Sequence, residues 1–369
     1  MRLDPVSLTI TSPAGHDVVS KDELTITGGS YTVTAAKHGF AGKDSVSIAD
    51  GCFAITSGKD GIHAENADDA EQGFLYISGG SFTIDAAGDG LSAGSTLQID
   101  GGTFRLTTGG GSDAVTVKAG DGRMTQPFGM RDFTSGTEQS SGDAESCKGI
   151  KAGTALTVND GTFVLDTADD AVHSNGDVTL CGGSWTIRTG DDGIHADGAV
   201  LIRAGEFSIP CCYEGVEGQS VTIDGGTLDI VAYDDGINAA GGTDGSGTAF
   251  GFGKQDGFAA GENCIITING GSITIVSDGD SIDSNGSLTV NGGTLDLTCN
   301  GNGNTAIDTD GSFTHNGGEI TTNDGSESGT GGMGGGMRGG MGGMNGGKTR
   351  GGMAAPPQTA LAPETGNAV

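Results

Sequence analysis

The sequence predicts an all-β fold, a parallel β-helix of about 11 rungs with about 22 residues and three short strands in each. Three observations predict it: an internal repeat near 22 residues, short apolar–polar alternations inside each repeat, and glycine gathered at turn phases. The repeat is plainest in two consecutive copies, ALTVNDGTFVLDTADDAVHSNG and DVTLCGGSWTIRTGDDGIHADG, which fill residues 155–198. Within the second, Val178-Thr179-Leu180, Trp185-Thr186-Ile187 and Ile194-His195-Ala196 alternate with period two, as strands do. Gly-Gly and Asp-Asp-Gly divide them, as turns do. No 3.6-residue apolar pattern supports a helical solenoid.

Aligned on the first apolar residue of the L-x-I run, the rungs begin at Leu24, Val46, Leu75, Leu97, Leu156, Val178, Val200, Val221, Ile266, Leu288 and Phe313. Residues 1–21 read as a partial N-terminal rung, and residues 22–322 as the β-helix. A short insertion falls near Asn66–Gly73, and long aperiodic ones at about 116–146 and 240–262. Loops of that length in a repeat protein are binding loops or disordered segments. Residues 323–369, rich in Gly and Met, cannot bury a core and are expected to be disordered.

A solenoid accommodates 369 residues in one domain because it grows by adding rungs. The 74 glycines would signal disorder if scattered, but most recur where a tight turn needs positive φ. With 48 acidic and 17 basic residues the net charge is −31, which argues against nucleic acid and anionic membranes as partners. No apolar run is long enough to span a bilayer, so no membrane insertion is expected. The chain otherwise reads as extracellular or cell-surface, with Met1 opening a trimmed sequence, and as a monomer. Pro363-Glu364-Thr365-Gly366 resembles the remnant of a sortase signal, which would attach the chain to a cell wall. The seven cysteines fall at different phases without C-x-x-C spacing, so neither a disulfide framework nor a zinc site is expected from them.

One turn phase is acidic along the coil: Asp60, Asp89, Asp113, Asp169/Asp170, Asp191/Asp192, Glu214, Asp234/Asp235 and Asp278/Asp280. Equal phase means a column one strand spacing apart, about 4.8 Å. At that distance two carboxylates repel by roughly 3–4 kcal/mol at an effective dielectric of 20. The column therefore calls for a cation or raised pKa values. Ca²⁺, which takes six to eight oxygens, suits the densest patch: Asp169, Asp170, Asp191, Asp192, Glu214, Asp234 and Asp235. The plainer alternative is good Asp-Gly turn chemistry with the charges in water. Just beyond, the alternation sends His63, Ser92, Lys151, His173, His195, Glu217, Asn238, Asp283 and Asp308 outward, where they are expected to face solvent. A polar row of this kind suits a sugar chain, with Lys151, His173, His195, Glu217 and Asn238 as the expected carbohydrate contacts.

The ordered set L-T-I-x-G-G-x-[FW]-x-[IL], D-D-[GA]-[IV]-H-[AS], K-G-I-K-A-G (148–153), Y-E-G-V-E-G (213–218) and the Gly/Met tail resembles the carbohydrate-binding β-helix proteins, whose fold is similar to that of pectate lyases. The resemblance covers about residues 20–320. It implies a right-handed parallel β-helix, Ca²⁺ in acidic turns, affinity for acidic or cellulosic plant polysaccharide, and extracellular placement. An alternative is a Ca²⁺-dependent polysaccharide lyase with Lys148 or Lys151 as base. Carboxylates raise a lysine's pKa, however, so Lys148 reads better as a fixed counter-ion closing the column. A third reading is a structural or ice-binding coil displaying Thr157, Thr179, Thr222, Thr267 and Thr289.

Overall fold

The computed structural model describes residues 1–67, 69, 71–115, 146–240 and 263–328. They form a β-solenoid of about 12 turns in which the strand pairings are parallel. One sheet holds twelve strands, one six- or seven-residue strand from nearly every turn. The other gathers the two shorter strands of each turn, which fuse in Ile194–Ile202 and Val216–Ile223. The only helical pieces among the described residues are two 3-10 turns, Ser112–Ala114 and Ser326–Ser328.

Register follows the repeat. Leu75 pairs with Val46 and Leu97, Leu156 with Val178, Val221 with Ile266, and Leu288 with Phe313. The count exceeds eleven because residues 1–21 contain all three strands of a first turn: Arg2–Leu3, Val6–Ser12 and Val18–Ser20. At the other end, Asp324 Oδ2 accepts the Ala306 N–H (2.8 Å) and Ser326 Oγ accepts the Ile307 N–H (3.1 Å). The tail expected from residue 323 thus begins with a cover over the last turn. Residues 116–145 and 241–262, and the remainder of the tail from 329, lie outside the described residues.

Three stacked rows hold the coil together. Alternation buries one side chain in two, and on the long strands this produces a pile of rings: Tyr31, Phe53, Phe82, Phe104, Phe163, Trp185 and Phe207. Successive centroids are 4.7–4.9 Å apart from Phe53 to Phe163, which matches the strand spacing, and close to 3.7 Å between Phe163 and Trp185. After Phe207 the row continues as Leu228, Ile273 and Leu295. The second row is glycine at the turn entering each long strand. Gly102 has φ 124°, and a Cβ there would lie 2.9 Å from the Gly80 carbonyl oxygen of the preceding turn. The third is an amide ladder, Asn316 to Asn291 to Asn269 to Asp224, each bond 2.8 Å.

The Thr row is in register but broken. Thr157, Thr179, Thr222, Thr267 and Thr289 share it with Tyr76, Gln98 and Leu201. All seven cysteines are free thiols, with Cys212, Cys264 and Cys299 buried.

Candidate functional site

The acidic phase is a physical column. From Asp60 it runs through Asp89, Lys148, Asp170, Asp192, Glu214, Asp235 and Asp280 to Thr305, each backbone carbonyl accepting the amide that follows the same phase one turn earlier. Asp113 does not join it. That residue lies in the 3-10 turn before residues 116–145, and Lys148 takes the place in the ladder.

The side chains also link the turns. Asp60 Oδ1 accepts the Asp89 N–H (3.0 Å), Asp89 Oδ1 the Lys148 N–H (2.8 Å), and Asp170 Oδ1 the Asp192 N–H (3.1 Å). Asp192 Oδ1 accepts the Glu214 N–H (3.1 Å) and Asp235 Oδ1 the Asp280 N–H (2.6 Å). In five of these turns one carboxylate oxygen is therefore committed to the backbone, the local reason for an acid at this phase. The other oxygen decides the electrostatics.

Compensation differs along the coil. At the N-terminal end, Asp60 Oδ2 lies 2.6 Å from His63 Nδ1 and 3.4 Å from His38 Nδ1. Burial would raise the Asp60 carboxyl, but the two histidines hold it below the usual range. In the middle, Lys148 Nζ lies 2.5 Å from Asp170 Oδ2 and 3.0 Å from Asp169 Oδ1. Burial again opposes, and Lys148 with His173 keeps the Asp170 carboxyl low. Lys148 thus pairs with both Asp169 and Asp170, and Lys151 Nζ sits 3.1 Å from Ser146 Oγ and 3.6 Å from Asp89 Oδ2.

Beyond the lysine, His195 is the local cation. Its Nδ1 is 2.6 Å from Glu217 Oε2 and 3.3 Å from Asp192 Oδ2, and its Nε2 is 3.4 Å from Asp197 Oδ1. Burial disfavours its charge, yet the bonds to Asp192 and Glu217 push it up to about 12. Farther along, Glu214, Asp235 and Asp280 have no ion-pair partner among the described residues. Burial, then neighbouring carboxylates, push Glu214 and Asp235 well up. Burial likewise lifts Asp280 to about 6.

The row beyond the turn is in register from His63 to Asp308, but the expectation that it faces solvent is corrected. His173 is 3% exposed, His195 0% and Asn238 6%. Each folds back onto the acid three or more residues away: His173 Nδ1 is 2.8 Å from Asp170 Oδ2, and Asn238 Nδ2 donates to Glu214 Oε2 (3.1 Å). The His173 and His195 rings also stack, with centroids 5.0 Å apart. Glu217, Lys151 and Asp283 are half-buried and Asp308 is exposed.

Four clusters bring candidate metal-ligand atoms within 4.8 Å of one another: His38/Asp60/His63, Asp169/Asp170/Asp191, Asp192/His195/Glu217 and Asp280/Asp283/Asp308. Of the expected calcium set, Asp169, Asp170 and Asp191 fall in one cluster and Asp192 in another, each of which already holds an internal cation, Lys148 or His195, whereas Glu214, Asp234 and Asp235 fall in none of the four. Asp280/Asp283/Asp308 contains no nitrogen base, and its donors are the hard oxygens that Ca²⁺ takes. Sequence reasoning placed these three in the right rows but outside the densest patch, because Gly279 leaves this rung without a doubled Asp. It missed His38 altogether, although His16 and His38 stand one 22-residue period apart.

No curated protein and no solved structure matches the chain. The family model for carbohydrate-binding domain-containing proteins matches twice, at residues 6–193 and 191–340, which together cover most of the coil. The two matches meet beside Asp191 and Asp192, where the described turns pair on either side. A β-solenoid displaying acid-rich turns, matched over both halves, belongs to the carbohydrate-binding domain-containing protein family and is a carbohydrate-binding protein.

Proposed function

We infer that the chain is a secreted or cell-surface, non-catalytic module that binds acidic polysaccharide through Ca²⁺ held at its acid-rich turns. The observation that carries this reading is the crowding of Asp280, Asp283 and Asp308, whose ligand atoms, all carboxylate oxygens, fall within 4.8 Å of one another. Asp280 and Asp283 are half-buried and Asp308 is exposed, so the cluster is reachable from outside, unlike Asp170 and His195. Three carboxylates supply only part of the six to eight oxygens that Ca²⁺ takes, which leaves room for a ligand carboxylate. The net charge of −31 supports the same reading: a uronate polymer is repelled by this surface unless a divalent cation lies between them. Glu214, Asp234 and Asp235 extend the acidic surface toward the middle turns.

The test is retention of the whole chain on immobilised polygalacturonate. Retention is expected in Ca²⁺, to be lost in EDTA and to return on adding Ca²⁺, and to be weakened at least tenfold by Asp280→Asn with Asp283→Asn. Retention that survives chelation would remove calcium from the account. Equal retention on neutral cellulose would remove the acidic ligand.

A further inference from the structure

The ladder that begins at Asp60 does not stop there. Going toward the N-terminus, the Gly39 N–H donates to the Asp60 carbonyl and the Asp17 N–H to the His38 carbonyl, so His38 and then His16 occupy the acidic phase in the first two turns. His38 plays the part an aspartate plays later, its Nδ1 accepting the Asp60 N–H (3.2 Å). His63, from the neighbouring row, turns back over them. The three imidazoles form a pile, with centroids 4.9 Å apart for His16 and His38 and 4.4 Å apart for His38 and His63, and planes within 18° and 13° of parallel.

We propose that His38, Asp60 and His63 form a site for a first-row divalent transition-metal ion, with His16 as an adjoining imidazole, that clamps the first turns of the coil together. Each of the three offers a ligand atom within 4.8 Å of the others. Asp60 Oδ2 lies 2.6 Å from His63 Nδ1 and 3.4 Å from His38 Nδ1. Donors bound to a tetrahedral zinc stand roughly 3.4 Å apart, given bonds near 2.1 Å, so an ion entering here would part the first pair slightly and displace the Asp60 amide from His38 Nδ1. A second observation points the same way: His16 Nδ1, at the end of the pile, is a buried atom without a hydrogen-bond partner. The donor set also fixes the class of ion. Imidazoles with one carboxylate suit Zn²⁺, Co²⁺ or Ni²⁺, whereas Ca²⁺ takes oxygen alone. This site therefore differs in chemistry, and in place along the coil, from the acid cluster at Asp280.

The experiment uses the full chain and Zn²⁺ or Co²⁺ itself. The wild-type protein is expected to bind one equivalent of Zn²⁺ more than a His38→Gln/His63→Gln variant. Zn²⁺ is expected to raise the wild-type melting temperature but not the variant's, and excess Ca²⁺ to displace none of it. His63→Gln alone, at a half-buried position, is the fallback if the double variant does not fold, and should weaken Zn²⁺ binding at least tenfold. Co²⁺ should give a ligand-field band without a sulfur-to-cobalt charge-transfer band. Equal Zn²⁺ stoichiometry in wild type and variant overturns the proposal, and so does a charge-transfer band that places the ion on the free cysteines. Polysaccharide retention plays no part in these readouts.

Discussion

Lys148 Nζ lies 2.5 Å from Asp170 Oδ2, and neither side chain has more than 7% of its surface in contact with water. Removing one partner of such a pair leaves a buried charge uncompensated. Lys148→Met is therefore expected to lower stability by about 3–5 kcal/mol. Lys148→Met with Asp170→Leu should recover much of that loss, and urea midpoints of the three proteins decide it. A small loss in the single variant would mean that Asp170 is neutral or rehydrated in the fold.

The C-terminal stretch of the acidic column should respond to pH in the opposite sense to Asp60 and Asp170. Asp280 is raised to about 6 from 3.8, so folding favours its protonated form. Its contribution is complete below about pH 4 and is lost as pH rises to about 6, an effect of about 2 kcal/mol after allowance for partial exposure. Asp170 and Asp60 are held low, so their contributions are present above pH 3.8 and lost as the solution is acidified below it. Without divalent ions, Asp280→Asn should flatten the slope of stability between pH 4 and 6 and leave the acid limb unchanged. An unaltered slope would show that Asp280 titrates normally.

His195 should remain an imidazolium well above neutrality. Its pKa is pushed up to about 12 from 6.5, so the stability it contributes is fully present below pH 6.5 and is lost only as pH approaches 12. Nitrogen chemical shifts of its ring should not move between pH 6 and 9. His195→Phe should cost about 3 kcal/mol, because Asp192 and Glu217 would then face each other without the imidazolium charge between them. A ring that titrates near 6.5 would sink this assignment.

Phe104 is 0% exposed, with Phe82 4.8 Å below it and Phe163 4.9 Å above. Phe104→Ala should cost about 3–5 kcal/mol. Phe104→Leu should cost about 1–2 kcal/mol, since Leu228 fills the same row four turns on. Thermal or urea unfolding of the two variants checks the order.

The period, the three strands per turn and the glycine phase were legible because each is a one-dimensional signal: alternation, Gly-Gly, Asp-Gly. So was the register, since stacking equal phases leaves no freedom once the repeat is aligned. The character of the outward row was not legible. Alternation puts His173 and His195 on the outer side of their strands, but whether such a side chain meets water depends on what folds over it. Asp170 and Asp192, held in place by amides of the next turn, draw the rings back and close over them. The histidines at 16 and 38 were obscured for a related reason: the phase was recognised by its acids, and an imidazole accepting the same amide hydrogen bond carries no acidic signature. Asp113 misled in the opposite sense, as an acid at a sequence interval that the chain leaves before completing its turn.

The protein's single tryptophan sits inside the ring pile, 3.7 Å from Phe163 and 5.7 Å from Phe207, near the midpoint of the coil. Its emission is therefore a gauge fixed at one height. A coil that frays from its ends would lose circular dichroism while the indole still reports an apolar, sandwiched setting, whereas a coil that melts as one unit would show both signals falling together. Trp185 thus lets a simple fluorescence trace tell whether neighbouring turns lend each other enough support to behave as a single thermodynamic body.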